Sequence, residues 1–129
     1  MKREIKFRSA FFNIKTDKFS HFHYWGFLNH KNEYDEKCFK APAQNSHAYR
    51  KTDDQFTGLK DKNGKEIYEG DIIKTVTGGN MVINWDNRKA SFVIDREGWA
   101  FRHFFGEALE ADECEIIGNI YENPELLSS

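Results

Sequence analysis

Phe56–Ile73 reads FTGLKDKNGKEIYEGDII, and Val82–Asp86 reads VINWD. Gly58 and Gly64 permit tight turns, and Asn63-Gly64 is a strong hairpin-turn pair. Ile67 and Tyr68 form a short apolar step, after which Gly70-Asp71 turns the chain into the apolar run Ile72-Ile73. Short apolar runs bracketed by such turns predict strands. Working outward, the paired glycines of Thr77–Asn80 and the Asp86-Asn87-Arg88 triplet mark further turns. They delimit strands at Ile72–Val76, Met81–Trp85, Ala90–Ile94 and Trp99–Phe105. Glu107–Glu113 suits one or two helical turns, with acidic residues favoured near a helix start. Cys114–Ile120 predicts a last strand, and Asn123-Pro124 is expected to close the ordered part, leaving Glu125–Ser129 to fray.

Towards the N-terminus, Ile5, Phe7 and Phe11 fall on one parity and Lys6 and Arg8 on the other, the period of a half-buried strand over Lys2–Phe12. The polar cluster Lys15–Lys18 interrupts, and the aromatic run Phe19–Phe27 predicts the second arm of a hairpin. Phe22 and Tyr24 share one face of that arm; His21, His23, Trp25 and Phe27 share the other. Aromatics on both faces predict an arm covered on both sides. From Asn29 to Lys51 no period holds, which predicts a long loop.

The 129 residues suit one core. Hydrophobic residues make up 39% and charged residues 31%, which excludes a disordered chain. Twelve Phe, five Tyr and three Trp must supply much of the interior, and flat rings suit pleated sheets. With no apolar stretch long enough to span a membrane and no leader-like start, a cytoplasmic protein with no membrane partner is expected. Cys38 and Cys114 are expected to be free thiols in such a compartment. Residues 1–52 carry eleven Lys and Arg against five Asp and Glu, and residues 53–129 carry eight against sixteen. That asymmetry suits either a nucleic-acid face or surfaces that attract each other, as in a homo-oligomer.

The reactive residue types form few constellations. His21 and His23 make an H-x-H pair that His30, His47, His103 and the cysteines could complete. The paired loop-forming spacings of zinc sites are missing, and no metal or cofactor is expected. Asp53, Asp54, Asp61, Glu66, Glu69 and Asp71 crowd one stretch and could serve a small hydrolase. Most flank glycine turns, where Asp bonds backbone amides in solvent, and no nucleophile elbow or phosphate loop accompanies them. No catalytic residue is therefore assigned. Nucleic-acid binding has better material in the basic hairpin, where Lys6, Arg8, Lys18, Tyr24 and Trp25 could combine phosphate neutralisation with base stacking.

Taken together, REIKFRSA at Arg3–Ala10, the central segment, and IIGNIYENPELL at Ile116–Leu127 closely resemble the YopX family of phage and prophage proteins. Ser9-Ala10-Phe11 departs from the Ala-Trp-Asp that family members tend to carry there, and about Phe27–Gln55 has no counterpart. The resemblance implies a phage or prophage component with no assigned activity and no catalytic residues to transfer. Its motif residues, here Gly58, Gly64, Gly70, Asp71, Gly118 and Asn119 among others, suit turns and packing. The entry of Gly70-Asp71 into an aliphatic strand also resembles the first hairpin of SH3-like barrels. The expected fold is mainly β: one domain over 1–129, with an N-terminal hairpin, a five-strand partly open SH3-like barrel and at most one short helix. The expected role is non-enzymatic binding or assembly, with single-stranded nucleic-acid binding or a small hydrolase as alternatives.

Overall fold

The computed structural model describes residues 5–26, 43, 46–75, 79–95, 103–105 and 113–127. In chain order it contains β1 (Phe7–Asn13), β2 (Phe19–Trp25), β3 (Ala48–Lys60), β4 (Glu66–Tyr68), β5 (Asp71–Thr75), β6 (Asn80–Asp86), β7 (Ser91–Asp95), β8 (His103–Phe104) and β9 (Cys114–Asn119). A 3-10 turn, Pro124–Leu127, follows. The protein is mainly β, with one sheet curled as a half-barrel and a second sheet. The chain divides into two compact units, Met1–Gly58 and Leu59–Ser129.

In the first unit the strands run β2-β1-β3, with β1 antiparallel to both neighbours. The predicted hairpin forms because Asn13 organises its turn. Its side-chain oxygen accepts the N–H groups of Lys15 and Thr16 at 2.8 and 3.0 Å, and its own N–H donates to the Lys18 carbonyl at 2.8 Å. Asp17 completes the reversal with φ 56°, a conformation that Asp tolerates better than most residues. The prediction that β2 is covered on both sides does not hold. Among the described residues β2 ends the strand order, and its residues are half-buried or exposed, with Tyr24 at 58%.

The loop expected up to Lys51 ends earlier, because Ala48–Lys51 already belong to β3. Apolar alternation is missing there because the buried positions include Asp54, whose carboxylate takes the place of an aliphatic group. β3 ends at Lys60, and the turn Asp61–Lys65 returns the chain as β4.

The second unit holds the antiparallel set β8-β7-β6-β5-β9. β5 lies between β6 and β9, so Ile72 and Ile73, on opposite faces, are both fully buried. This is why the run is continuously apolar instead of alternating. Ile67, Ile73, Met81, Ile83, Phe92, Ile94 and Cys114 form the core cluster, with Phe105 and Ile116 packed against it. The predicted turn after Asp86 is present, its carboxylate accepting the N–H groups of Arg88 and Lys89 at 2.9 and 3.1 Å. Ala90, expected to open β7, instead takes φ 49° in that turn. The tail expected to fray carries the 3-10 turn, held where Asn80 donates its side-chain amide to the Leu126 carbonyl at 2.8 Å.

Several expectations fall outside the described residues: the strand start at Lys2–Glu4, Phe27, positions 29–42, Val76–Gly78, Trp99–Arg102, and the helix over Glu107–Glu113 except its last residue. Among the described residues no helix is long and apolar enough to cross a membrane.

Candidate functional site

The polar chemistry of the first unit lies on β1–β3. Ser9 faces His23 on one side and Asp53 on the other. Its hydroxyl donates to Asp53 Oδ1 at 2.6 Å and accepts the Trp25 indole N–H at 2.8 Å. Arg50 donates to the same carboxylate at 2.8 Å and places its guanidinium 5.6 Å from the Trp25 ring centre. The result is a closed circuit of Trp25, Ser9, Asp53 and Arg50 that ties three strands together. Arg50 holds the Asp53 carboxyl below its usual range, against partial burial and with help from Ser9. Ser9 is fully buried and its hydroxyl is engaged on both sides, an arrangement that suits a strut.

Arg8 and Asp54 face each other directly across β1 and β3 and are each only 4% exposed. The guanidinium donates to Asp54 Oδ2 at 3.3 Å and lies 4.2 Å from the Phe22 ring centre. A buried charge must be paired to persist, and here the pairing is internal. Arg8, read from the sequence as a phosphate contact, is thus committed to Asp54. Tyr24 shares the face of Arg8, whereas Trp25, one residue on, shares the opposite face with Ser9, where it stacks on Phe7 with ring centres 4.8 Å apart. Lys6 sits half-buried with its ammonium 5.4 Å from the Phe56 ring centre, and Lys18 is exposed beside the hairpin turn. The five residues of the predicted nucleic-acid site therefore do not form one surface.

The face that Phe22 and Tyr24 share carries a longer row of rings. Phe12 packs edge-on to Phe19 with centres 5.8 Å apart, Phe19 lies 4.8 Å from Phe22, and Phe22 lies 6.2 Å from Tyr24. Tyr49 joins at 6.1 Å from Phe12, and the Lys51 ammonium stands 4.4 Å from the Phe12 ring centre. The Tyr49 hydroxyl also donates to Asp17 across the turn, which raises its pKa. The two-residue spacing of Phe22 and Tyr24 along β2 is a usable signal, whereas Phe19, at an odd spacing from Phe22, joins them where the pairing register shifts between Phe11 and Phe12. The contributions of Tyr49 and Lys51 are hidden because they lie in the stretch Asn29–Lys51, where no period holds.

The acidic stretch is structural in its geometry. Asp61 Oδ1 accepts the N–H groups of Asn63 and Lys65, both at 2.9 Å, and Oδ2 accepts that of Ile116 at 3.0 Å. Burial pushes this carboxyl up, but the donations from Ile116, Lys65 and Asn63, with the charge of Lys65, outweigh it and hold the group below its usual range. Asp71 Oδ2 accepts the Tyr68 N–H at 2.8 Å. The expectation of acids bonding turn amides holds for both, but the expectation that they are solvated does not. Asp61 is 5% exposed and Asp71 2%, and Asp53 and Asp54 lie in a strand.

The remaining motif residues act in the same way. Gly70 takes φ +89° while its N–H donates to the Ile83 carbonyl at 2.7 Å and its carbonyl accepts the Ile120 N–H at 3.0 Å. Both contacts need a conformation in which a side chain would be strained. At Gly118 the reason is space, since a Cβ there would stand 2.5 Å from Asn123 Oδ1. Asn119 Oδ1 caps the final turn, accepting the N–H groups of Tyr121 and Glu122 at 3.0 and 2.9 Å. Gly64 sits at positive φ in its turn, whereas Gly58, expected in a turn, takes φ 89° within β3.

His21 and His23 are exposed, and His21 stacks on Phe11 with its Nδ1 2.9 Å from the Ser20 hydroxyl. Among the described residues no three His, Cys, Asp or Glu side chains are placed to share a metal ion. His30, Cys38 and the side chain of His103 lie outside those residues. Cys114 is a buried free thiol. A half-open hollow of ≈ 330 Å³ in the second unit is lined by Lys62, Lys74, Thr75, Glu113 and Glu115, and Lys62 pairs with Glu115 at 3.5 Å, so it favours neither sign of ligand charge.

A β-built chain whose motif residues are turn and anchoring groups is what these features define. The family described as YopX protein matches residues 6–128, and the chain belongs to that family. Among solved structures, the crystal structure of protein EF1440 from Enterococcus faecalis is similar, at 24% identity over 98% of this chain and 99% of that chain, with a TM-score of 0.49. No curated protein matches.

Proposed function

We propose that this chain is a non-enzymatic binding or assembly protein of phage or prophage origin that works in the bacterial cytoplasm and forms homo-oligomers. The observation that carries the reading is the use made of its reactive side chains. Ser9, Arg8, Asp53, Asp54, Asp61 and Asp71 each satisfy a partner in the chain's own framework. Such groups hold strands and turns in place, and the surface that remains is suited to recognition. The basic balance of residues 1–52 and the acidic balance of 53–129 suit attraction between copies, which would weaken as salt screens it. Light scattering at low and high salt tests the proposal. An assembly larger than one chain at low salt that loosens at high salt is expected, and a strict monomer under both counts against it.

A further inference from the structure

We infer that His21 and His23 form an open two-ligand site on β2 for a transition-metal dication such as Zn2+, Ni2+ or Cu2+. This goes beyond the assembly role proposed above and does not depend on it. The loop-forming spacings missing from the sequence belong to closed four-ligand zinc sites, whereas a site that keeps open positions needs fewer ligands from the chain. His21 faces Phe11 and His23 faces Ser9 across β1, and the pairing register is regular between them. Residues two apart on a strand leave the same face about 7 Å apart, and imidazoles that lean together can both reach one ion at about 2.0 to 2.1 Å. Both residues are exposed, so that face is open to solvent at the pair.

The surroundings prepare His21 as a ligand. Its ring lies parallel to that of Phe11, 2° apart with centres at 5.0 Å, which fixes its plane. Its Nδ1 stands 2.9 Å from the Ser20 hydroxyl, so the tautomer carrying Nδ1–H donates to Ser20 Oγ and leaves the Nε2 lone pair for a metal. Metal-binding histidines anchor their other ring nitrogen in this way. His23 makes no hydrogen bond, ion pair or ring contact among the described residues, so its ring can turn toward the same ion. The carboxylate in the row of His23, that of Asp53, is two strand spacings or about 10 Å away and is held by Ser9 and Arg50. The described residues thus supply two imidazoles, and water fills the remaining positions. Imidazole ligands suit Zn2+, Ni2+ and Cu2+, whereas Mg2+ and Ca2+ take oxygen.

Equilibrium dialysis of the full chain, carrying no polyhistidine tag, against Zn2+ and against Mg2+ tests the inference. Zn2+ should be retained at one ion per chain, and Mg2+ should not be retained. His23→Ala should weaken Zn2+ binding by at least about ten-fold, since loss of even an outer-shell partner of a metal-bound histidine costs about ten- to one-hundred-fold. Because His23 is exposed, that variant should keep the wild-type circular dichroism spectrum. Ser20→Ala leaves both ligands in place and should weaken binding by about ten-fold through loss of the Nδ1 anchor. Cu2+ should quench the part of the fluorescence due to Trp25, which shares the face of His23, and His23→Ala should abolish that quenching. Retention of no Zn2+ overturns the inference, as does His23→Ala binding Zn2+ as tightly as wild type, which would place the metal on other side chains.

Discussion

The Oδ2 atom of Asp61 accepts the backbone N–H of Ile116 at 3.0 Å, across 55 positions of chain. Asp61 sits in the central motif and Ile116 opens the closing one, so this bond joins the two segments that carry the family likeness. The Lys62 N–H donates to the Cys114 carbonyl at 3.0 Å beside it, extending the join to the start of β9. A turn acid thus fastens the β3–β4 reversal to the strand that completes the five-stranded sheet.

Replacing Asp61 by Ala strips acceptors from the N–H groups of Asn63, Lys65 and Ile116. The expected cost is about 2 to 4 kcal/mol, because a lost charge-assisted bond is combined with donors left unsatisfied near the core. Asp61→Asn should recover part of this. Its carbonyl oxygen can still serve Asn63 and Lys65, but its amide meets the Ile116 donor with another donor. Urea denaturation midpoints of the three proteins check the order wild type, Asn, Ala.

Acid should destabilise the protein through the same group. The Asp61 and Asp53 carboxyls both ionise below their ordinary range in the folded chain. Each therefore contributes stability that is present above the unfolded carboxyl pKa, about 3.9, and is lost as pH falls through the lower folded value. Thermal melts from pH 6 down to pH 2 should show the midpoint falling mainly below about pH 4, and Asp61→Asn should flatten that fall.

Gly118→Ala should displace Asn123, whose Oδ1, Cγ and Cβ would lie 2.5, 2.8 and 3.0 Å from the new methyl carbon. The whole side chain must move, and the bond it accepts from the Asn119 N–H at 3.3 Å goes with it. The expected loss is about 1 to 3 kcal/mol. Gly118→Ala combined with Asn123→Ala should cost less than the two single changes added together, because the second change removes part of the obstruction. A double-mutant cycle in urea measures this coupling.

Arg8 and Asp54 should behave as a buried pair. Arg8→Met or Asp54→Leu alone strands a charge at a position 4% exposed, at a cost of about 3 to 5 kcal/mol. The double substitution should lie well below the sum, since an apolar pair of similar volume needs no compensation. Both singles proving milder than the double would contradict the pairing.

Much of the framework was legible because turn chemistry is local. Gly64 beside Asn63, and Asp86 ahead of its turn, act on atoms a few bonds away, so residue type suffices to place the reversals. The strands between them followed from the apolar runs, including Ile72 and Ile73, whose adjacency already signalled burial on both faces. β3 was not legible. Its buried Asp54 looks like a surface residue until Arg8, 46 positions earlier, is seen opposite it.

The β character and turns such as those at Gly64 and Asp86 were settled by the chain's own order of residues, since steric limits on φ and the reach of a short side chain do not depend on distant partners. Folding settled which polar groups lie inside. Arg8 and Tyr24 share one sheet face, yet one is 4% exposed and the other 58%, because β1 has strands on both sides while β2 ends the strand order among the described residues. Burial depends on neighbours brought from far along the chain, and that decided which half of an apparently uniform basic and aromatic hairpin is framework and which half meets solvent.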